Sequence, residues 1–327
     1  MVKYFLTAIY IIVFYNCTAQ VINLKPLDIS LGLINFNTQY IKENQVKSIV
    51  LDIVDKPDGS VIIDKDATQG YEFDSLGRLS RYYYTILNKS VTKDVTIPPI
   101  VKRGKVIRSG STEVVTEFIN DTIFVNVFYD DKSRIICKRV CTGDFYDAYY
   151  YEYNENNQLK KEIHFKETNR SENKKEFRLG VQSLLSSETF QYTTLTPTQV
   201  KKSCLNDEGK EYKKVIINYD SKGNKISENY QYIVGWMYQE STYKYDSSNR
   251  LIDKETRSNE SGELKQHSVY NYSIQNTLLS ERKYKGDQLI MEISYLYDEA
   301  NVLIKSQINR DFKNSSIGII KYSYTFY

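Results

Sequence analysis

The sequence predicts an all-β protein, an antiparallel β-hairpin meander preceded by a short N-terminal helix and cap. A short motif of aromatic and turn-forming residues recurs along the chain, and weaker turn signals lie about halfway between its copies. Thirty of the 327 residues are Tyr, a strand-favouring residue whose amphipathic ring tolerates half-exposed positions. The resulting half-period of about 13 residues is enough for one strand and one turn. Each copy of the motif therefore accounts for one hairpin.

The repeated motif is built around one polar anchor residue. Its clearest copies are YEFDSLGRL at 71–79 and YKYDSSNRL at 243–251. The aligned anchors are Asp74, Asp130, Asn154, Asp220, Asp246, Ser273 and Asp298. Three residues after each anchor come Gly77, Ser133, Asn157, Gly223, Asn249, Asn276 and Asn301. Gly and Asn readily adopt the left-handed conformation that closes a type I turn with a bulge, so the motif predicts a hairpin corner.

Large side chains stand one and three residues before each anchor. Residues two apart in a strand share one face of the sheet, so each such pair points the same way. In the last three regular copies all of these residues are tyrosines, namely Tyr243, Tyr245, Tyr270, Tyr272, Tyr295 and Tyr297. The rings either fill the packed face of the sheet or offer a flat, amphipathic surface to a protein or a glycan. These six tyrosines are the predicted binding residues.

The motif YEFDSLGRL closely resembles the YD repeat of bacterial Rhs proteins and animal teneurins. The resemblance extends over 243–303 and becomes degenerate around 127–135, 151–159 and 217–226. In that family the repeats form hairpin strips that wind into shells, enclose cargo or support surface contacts, and they have no catalytic role. This chain departs from the pattern by placing Asn where the family has Gly and by spacing its copies further apart. The resemblance implies degenerate YD-like repeats over 71–327, after an N-terminal cap at 20–70.

The N-terminus reads as a secretory signal. Lys3 precedes an apolar run and then small and polar residues, and cleavage after Ala19 would leave a signal peptide of residues 1–19. The alternatives are a lipoprotein anchored through Cys17 and a buried N-terminal helix. No later segment approaches the roughly 20 apolar residues of a transmembrane helix. The chain is therefore predicted to be exported, to the periplasm or the outside.

Two shorter predictions concern the early chain and the cysteines. NTQYIKEN at 37–44 predicts a short helix, and the turn Pro57-Asp58-Gly59 predicts an early hairpin. Three cysteines follow the signal, Cys137, Cys141 and Cys204. An odd number in an exported chain leaves at least one thiol without an intramolecular partner.

Charge and composition exclude some functional classes. The 44 Lys and Arg and 41 Asp and Glu are interspersed along the chain, with a net charge of +3. No basic stripe is visible, so nucleic acid is not expected as a partner. Counting back from Tyr327 in the C-terminal KYSYTFY, the alternate residues Thr325, Ser323 and Lys321 are polar, and the strands carry charges on both faces. Both observations argue against a barrel with an apolar, lipid-facing belt.

The sequence offers little for catalysis. His164 and His267 are the only histidines, and both fall on polar strand faces. No phosphate loop, nucleophile elbow or metal signature appears, so neither a cofactor nor a metal is predicted. We therefore expect a non-catalytic exported or cell-envelope repeat protein, acting as a scaffold or presenting a Tyr-rich sheet to an envelope protein or glycan. The alternative is a secreted glycosidase-like enzyme that uses a carboxylate pair.

Overall fold

The computed structural model describes residues 21–26, 35–97, 100–102, 105–108, 111–141, 144–172, 176–259, 264–299 and 303–327. The predicted signal peptide and Cys17 lie outside these residues. The described residues form one helix, α1 (Thr38–Glu43), and twenty strands. The strands are β1 (Val46–Pro57), β2 (Ile63–Phe73), β3 (Leu79–Ile97), β4 (Ile100–Lys102), β5 (Lys105–Arg108), β6 (Ser111–Tyr129), β7 (Ile135–Cys141), β8 (Phe145–Tyr153), β9 (Leu159–Asn169), β10 (Leu179–Thr196), β11 (Gln199–Leu205), β12 (Glu211–Tyr219), β13 (Lys225–Tyr232), β14 (Tyr238–Tyr245), β15 (Leu251–Ser258), β16 (Leu264–Tyr272), β17 (Leu278–Lys285), β18 (Gln288–Tyr297), β19 (Ile304–Asp311) and β20 (Ser316–Phe326).

Eighteen of these strands form one antiparallel sheet that closes on itself. Strands that follow one another in the chain pair throughout the sheet, and β3 pairs with β6 across the small β4–β5 hairpin. The first strand, β1, pairs on one side with β2 and on the other with the last strand, β20. The predicted antiparallel meander is confirmed, and its two ends are joined into a barrel.

The hairpin corners have the predicted geometry. At the first corner the Gly77 N–H donates to the Asp74 carbonyl (2.8 Å), and the Asp74 carboxylate accepts the Arg78 N–H (2.9 Å). Gly77 and Gly223 have φ of +78° and +80°, as predicted for the left-handed position of these corners. The same position has positive φ in four other copies, at Ser133, Asn157, Asn249 and Asn276. The turns at Asp74, Asp220 and Asp246 lie where the sequence predicts them. At Asp298 the N–H donates to the Leu303 carbonyl (2.9 Å), and the predicted turn residue Asn301 lies outside the described residues.

The inner face of the barrel carries two hydrophobic clusters. The larger cluster is built from strands β14–β19 together with β1 and β2, and the smaller one from β8–β12. The chain before β1 packs on the larger cluster, where Tyr40 and Ile41 of α1 are 3% and 0% exposed. Asn37 caps this helix by accepting the N–H of Tyr40 (3.2 Å). The helix therefore lies against the inner face at the end of the barrel that holds the Asp74 corner.

The outer face between β14 and β19 is polar and crossed by ion pairs. Asp253 pairs with His267 of the neighbouring strand (2.9 Å), and Arg282 pairs with Glu292 (2.8 Å). Successive residues of a strand point to opposite faces of the sheet. The charged side chains therefore lie on the outer face of these strands, and the tyrosines lie on the inner face. Among the described residues, no helix is long and apolar enough to cross a membrane.

A long two-stranded ribbon projects from the ring. β3 pairs with β2 only as far as Tyr84, and β6 pairs with β7 only from Phe124 onward. Beyond these residues β3 and β6 pair only with each other, as far as Ile97 opposite Ser111. At about 3.3 Å per residue, the ribbon extends roughly 40 Å past its last pairing with β2, and β2 still contacts its base through the bond from Asn120 to the Lys65 carbonyl (2.8 Å).

Strand β10 divides its pairing between two neighbours. Its first part pairs with β9, as far as Thr189 opposite Lys161. Its second part pairs with β11, from Thr189 opposite Leu205 to Thr196 opposite Gln199. In the described structure, the first part thus has a strand on one side only.

Candidate functional site

The six predicted binding tyrosines all lie on the inner face of the barrel. Tyr243, Tyr270 and Tyr295 are 5%, 8% and 8% exposed, and the other three are half-buried. The Tyr243 hydroxyl donates to the Glu228 carboxylate at 2.8 Å. Burial, followed by the charge of Glu228, raises the pKa of Tyr243. These contacts are those of packed residues, and a contact between any of the six rings and a ligand stays a prediction.

Five of the tyrosines immediately before an anchor, called the corner tyrosines, form one recurring hydrogen bond. Tyr272 donates its hydroxyl to the carbonyl of Leu251 (2.7 Å), the first residue of the strand that follows the preceding corner. Tyr129, Tyr153, Tyr245 and Tyr297 make equivalent bonds of 2.8 to 2.9 Å. Tyr324 of β20, which precedes no anchor, makes a similar bond to the Ile304 carbonyl (2.9 Å). Burial raises the pKa of Tyr245 and of Tyr297 to about 12, so both hydroxyls stay protonated as donors. Each corner tyrosine thereby joins its hairpin to the preceding one.

An arginine four residues after the anchor completes this link. The Arg250 guanidinium donates to the Asp246 carboxylate (Nε to Oδ2, 2.7 Å) and to the Asn276 amide oxygen of the next corner (2.8 Å). It also lies 4.6 Å from the centre of the Tyr272 ring, within range of a cation–π interaction. Arg78 and Arg134 make the same contacts with the corners that follow them. These contacts therefore form a ladder along one rim, which links the corners from Asp74 to Asn154 and from Asp220 to Ser273.

The arginines of this ladder are not among the functional residues predicted from the sequence. The signal was present, because Arg occupies the fourth position after the anchor in three of the seven copies. In the Asp220 copy Asn224 takes that place and bonds both Asp220 and Asn249 of the next corner. A polar anchor followed four residues later by Arg or Asn is therefore the sequence pattern that predicts contacts between neighbouring corners.

The ladder predicts acid sensitivity at Asp246. Partial burial raises the pKa of Asp246, but hydrogen bonds and charge from Arg250 outweigh burial and lower it. A carboxyl whose folded pKa lies below the unfolded value of about 3.9 stabilises the fold above that value, and loses its contribution as pH falls through the folded pKa. Urea midpoints of the wild type should therefore fall more steeply between about pH 6 and about pH 3 than those of Asp246→Asn. Parallel curves would show that Asp246 adds no pH-dependent stability.

A second group of interacting side chains lies on the inner face beside the smaller cluster. Glu162 of β9 stands directly opposite Glu188 of β10. Burial and then the charge of Glu188 raise the pKa of Glu162. Tyr212 donates a short hydrogen bond to Glu188, and the Lys213 ammonium lies 3.4 Å from the same carboxylate. This pair of acids is the one place described where two carboxyls with unequal environments face each other across strands.

The two histidines are each held by an aspartate. His164 Nε2 lies 3.0 Å from Asp147, and its ring stacks on Tyr149 with centroids 4.2 Å apart. His267 bonds Asp253 on the outer face. In the part of the chain that the structure describes, no group of three or more His, Cys, Asp or Glu side chains is arranged to hold a metal ion.

On the outer face, a buried ion pair lies beneath the connection between β9 and β10. Glu167 is 0% exposed, and its carboxylate accepts hydrogen bonds from Arg139 (2.7 Å) and Tyr150 (2.7 Å). Phe177 of the connection covers Arg139 at 4.0 Å from ring centre to guanidinium. Gln182 supplies a further donor at 2.9 Å. The carboxylate is thus fully bonded within the protein.

None of the three described cysteines forms a disulfide. Cys137 and Cys204 are buried, and burial raises the pKa of each thiol to about 11. Both groups are therefore poor nucleophiles at neutral pH.

Comparisons with known proteins give weak similarities. No family model matches the chain, and no curated protein matches it. Among solved structures, a porin-like protein from Bacteroides uniformis overlaps with a TM-score of 0.38 and 14% identity, over 86% of this chain and 97% of its own. A porin-like protein from Bacteroides vulgatus has a TM-score of 0.27 and 11% identity, over 63% and 94%. The Tc holotoxin pore of Photorhabdus luminescens has a TM-score of 0.20 and 10% identity, over 80% and 21%.

Proposed function

We propose that this chain is a non-catalytic, exported protein of the cell envelope, in which degenerate YD-like hairpins form a scaffold that presents a surface to a protein or glycan partner. The ladder of corner residues carries the proposal. Its tyrosine, arginine and anchor side chains bond one another from hairpin to hairpin. Residues that repeat in this way build and hold the barrel, which is the role expected of a scaffold.

The proposal includes the division of the chain drawn from the sequence. Residues 1–19 act as the signal, residues 20–70 as the cap, and residues 71–327 as the repeats. The packing of α1 supports the cap, as does the contact of Lys25 with Asn224 (3.3 Å). Mass spectrometry of the processed N-terminus tests whether the protein is exported, and is expected to give a chain beginning at Gln20. A diacylglycerol-modified Cys17 would make the protein a lipoprotein, and a retained Met1 would remove the basis for export.

The projecting ribbon is the surface most available to a partner. Val95, Val114 and Ile119 of the ribbon are 42%, 68% and 39% exposed. An isolated two-stranded ribbon has little stability of its own, so binding would order it against a partner. The half-buried rings of Tyr245, Tyr272 and Tyr297 form the alternative contact surface, reached from inside the barrel.

A capture experiment separates these surfaces. The mature chain is used to capture envelope proteins and glycans, beside a variant in which a two-residue Asn-Gly turn replaces 90–118. We expect the shortened chain to lose partners, while a Tyr245→Ser, Tyr272→Ser and Tyr297→Ser chain keeps them. Retention by the shortened chain and loss by the tyrosine variant would instead place the contact on the rings. Circular dichroism confirms that both variants remain β-folded.

The opposed acids favour a second function, a glycosidase-like hydrolysis. Glycoside hydrolysis needs one protonated and one ionised carboxyl, and burial raises the pKa of Glu162, which favours the protonated form there. Turnover of an envelope glycan that disappears in both Glu162→Gln and Glu188→Gln would establish the enzyme and overturn the scaffold proposal. Turnover that survives both substitutions would come from another source.

A further inference from the structure

The first part of β10 is an exposed strand edge. Residues 179–187 pair with β9 on one side, and the described strand β11 begins its pairing only at Thr189. Leu179, Val181, Leu184 and Leu185 are 46%, 65%, 60% and 51% exposed. An edge of this kind presents unpaired backbone groups together with apolar side chains, and it serves readily as a template for another strand.

This edge carries neither charges nor proline, two of the features that usually protect one, although its pairing with β9 shifts register between Leu179 and Gln182 and between Leu184 and Ser186. The segment LGVQSLLSS contains no charged residue and no proline. The ribbon, whose strands are also exposed, carries Lys89, Lys93 and Asp94 along β3, and Lys93 pairs with Glu117 across it. Charged side chains discourage pairing between exposed edges. The contrast between the uncharged β10 edge and the charged ribbon strands favours pairing of the β10 edge with another strand.

We propose that residues 179–187 pair antiparallel with the same residues of a second copy, forming a two-fold symmetric dimer. Two-fold symmetry makes identical edges run antiparallel, and it requires the edge to be complementary to itself. An uncharged segment meets this requirement, because no like charges are brought together. A register centred on Ser183 places Val181 of each copy opposite Leu185 of the other, so that apolar side chains meet at both ends of the pairing.

A charge placed at the centre of this register tests the pairing. Ser183 is exposed, and in the dimer each Ser183 stands opposite its symmetry mate. Ser183→Lys therefore brings two like charges directly across from each other, as does Ser183→Glu. Opposed like charges on neighbouring strands are destabilising, so the dissociation constant should rise by up to about fivefold for either variant alone. A mixture of the two variants should regain the dimer, because opposite charges then face each other.

The measurements are sedimentation over a range of protein concentration and hydrogen exchange of the 179–187 amides. We expect wild-type protein to dimerise, with exchange protection of these amides that grows with concentration. Ser90→Lys, an exposed serine on the ribbon, is the matched control and should dimerise like the wild type. A wild-type monomer at every concentration, an undiminished Ser183→Lys dimer, or a failure of the mixed variants to recover would each overturn the proposal. An edge occupied instead by a foreign strand would appear as a monomer whose 179–187 amides are protected only with that partner present.

Discussion

Replacing Gly77 with alanine is expected to destabilise the protein by about 3 kcal/mol or more, whereas the same change at Gly223 should cost only about 1 kcal/mol. Both glycines occupy the left-handed position of a corner, with φ of +78° and +80°. A side chain there costs roughly 1–2 kcal/mol for conformational reasons alone. At Gly223 nothing lies within 4 Å of an added Cβ atom, so this is the whole expected effect.

At Gly77 the added carbon also meets the backbone of α1. It would lie 2.3 Å from the Thr38 carbonyl oxygen and 2.8 Å from the Lys42 nitrogen. Backbone atoms cannot rotate away as a side chain does, so the helix must shift from the larger cluster, at a further cost of about 1–3 kcal/mol. Urea unfolding of the two alanine variants measures the difference. Equal losses would show that α1 does not rest on this corner in solution.

A proteolysis assay separates a shifted helix from a weakened corner. If α1 is displaced in Gly77→Ala, cleavage near Tyr40 should accelerate below the unfolding transition, because this residue is 3% exposed in the native fold. Gly223→Ala should leave cleavage there unchanged. The pair of variants thus tests the placement of the N-terminal segment, which the stability measurement alone does not.

The corners could be predicted from sequence because their cause is local. The anchor oxygen, the left-handed residue three positions later and the apolar residue that begins the next strand all lie within one turn. A corner such as that at Asp74 or Asp246 can therefore be recognised from its own residues. Closure of the ring could not be predicted in the same way. It depends on β1 meeting β20, whose partners Ile49 and Tyr324 stand at opposite ends of the chain.

The part played by the tyrosines also needed the structure. Alternation placed Tyr243 and Tyr245 on one face, but it did not say whether that face was covered. The covering depends on contacts distant in sequence, such as Tyr40 of α1 beside the larger cluster. The acids Glu162 and Glu188 were missed for the same reason, because 26 residues of chain separate two side chains that the β9–β10 pairing brings together.

The buried ion pair of Arg139 and Glu167 was equally invisible in the sequence, and it carries the second large expected effect. We expect Arg139→Leu to destabilise the protein by about 3–5 kcal/mol, because it leaves the Glu167 carboxylate buried without its cation. The carboxylate is 0% exposed, and its remaining donors, Tyr150 and Gln182, are uncharged. Neither can replace a charge.

A double-mutant cycle separates the ion pair from the packing around it. The double variant Arg139→Leu with Glu167→Leu should lose less stability than the sum of the two single variants, by about 0.5–3 kcal/mol. Each single variant leaves one buried charge without its partner, whereas the double variant leaves none. The exposed pair of Arg282 and Glu292, with side chains 49% and 30% exposed, provides the control cycle. Its coupling should stay within about 1 kcal/mol.

Denaturant unfolding of both cycles decides what the buried pair contributes. Coupling at Arg139 and Glu167 no larger than that of the control would mean that water reaches the carboxylate, and that Phe177 does not seal this site in solution. A large coupling would show that the connection between β9 and β10 excludes water. A buried Glu167 carboxylate would also hold β10 in place beside β9, because Gln182 of β10 donates a hydrogen bond to that carboxylate. The exposed edge of β10 begins at Leu179.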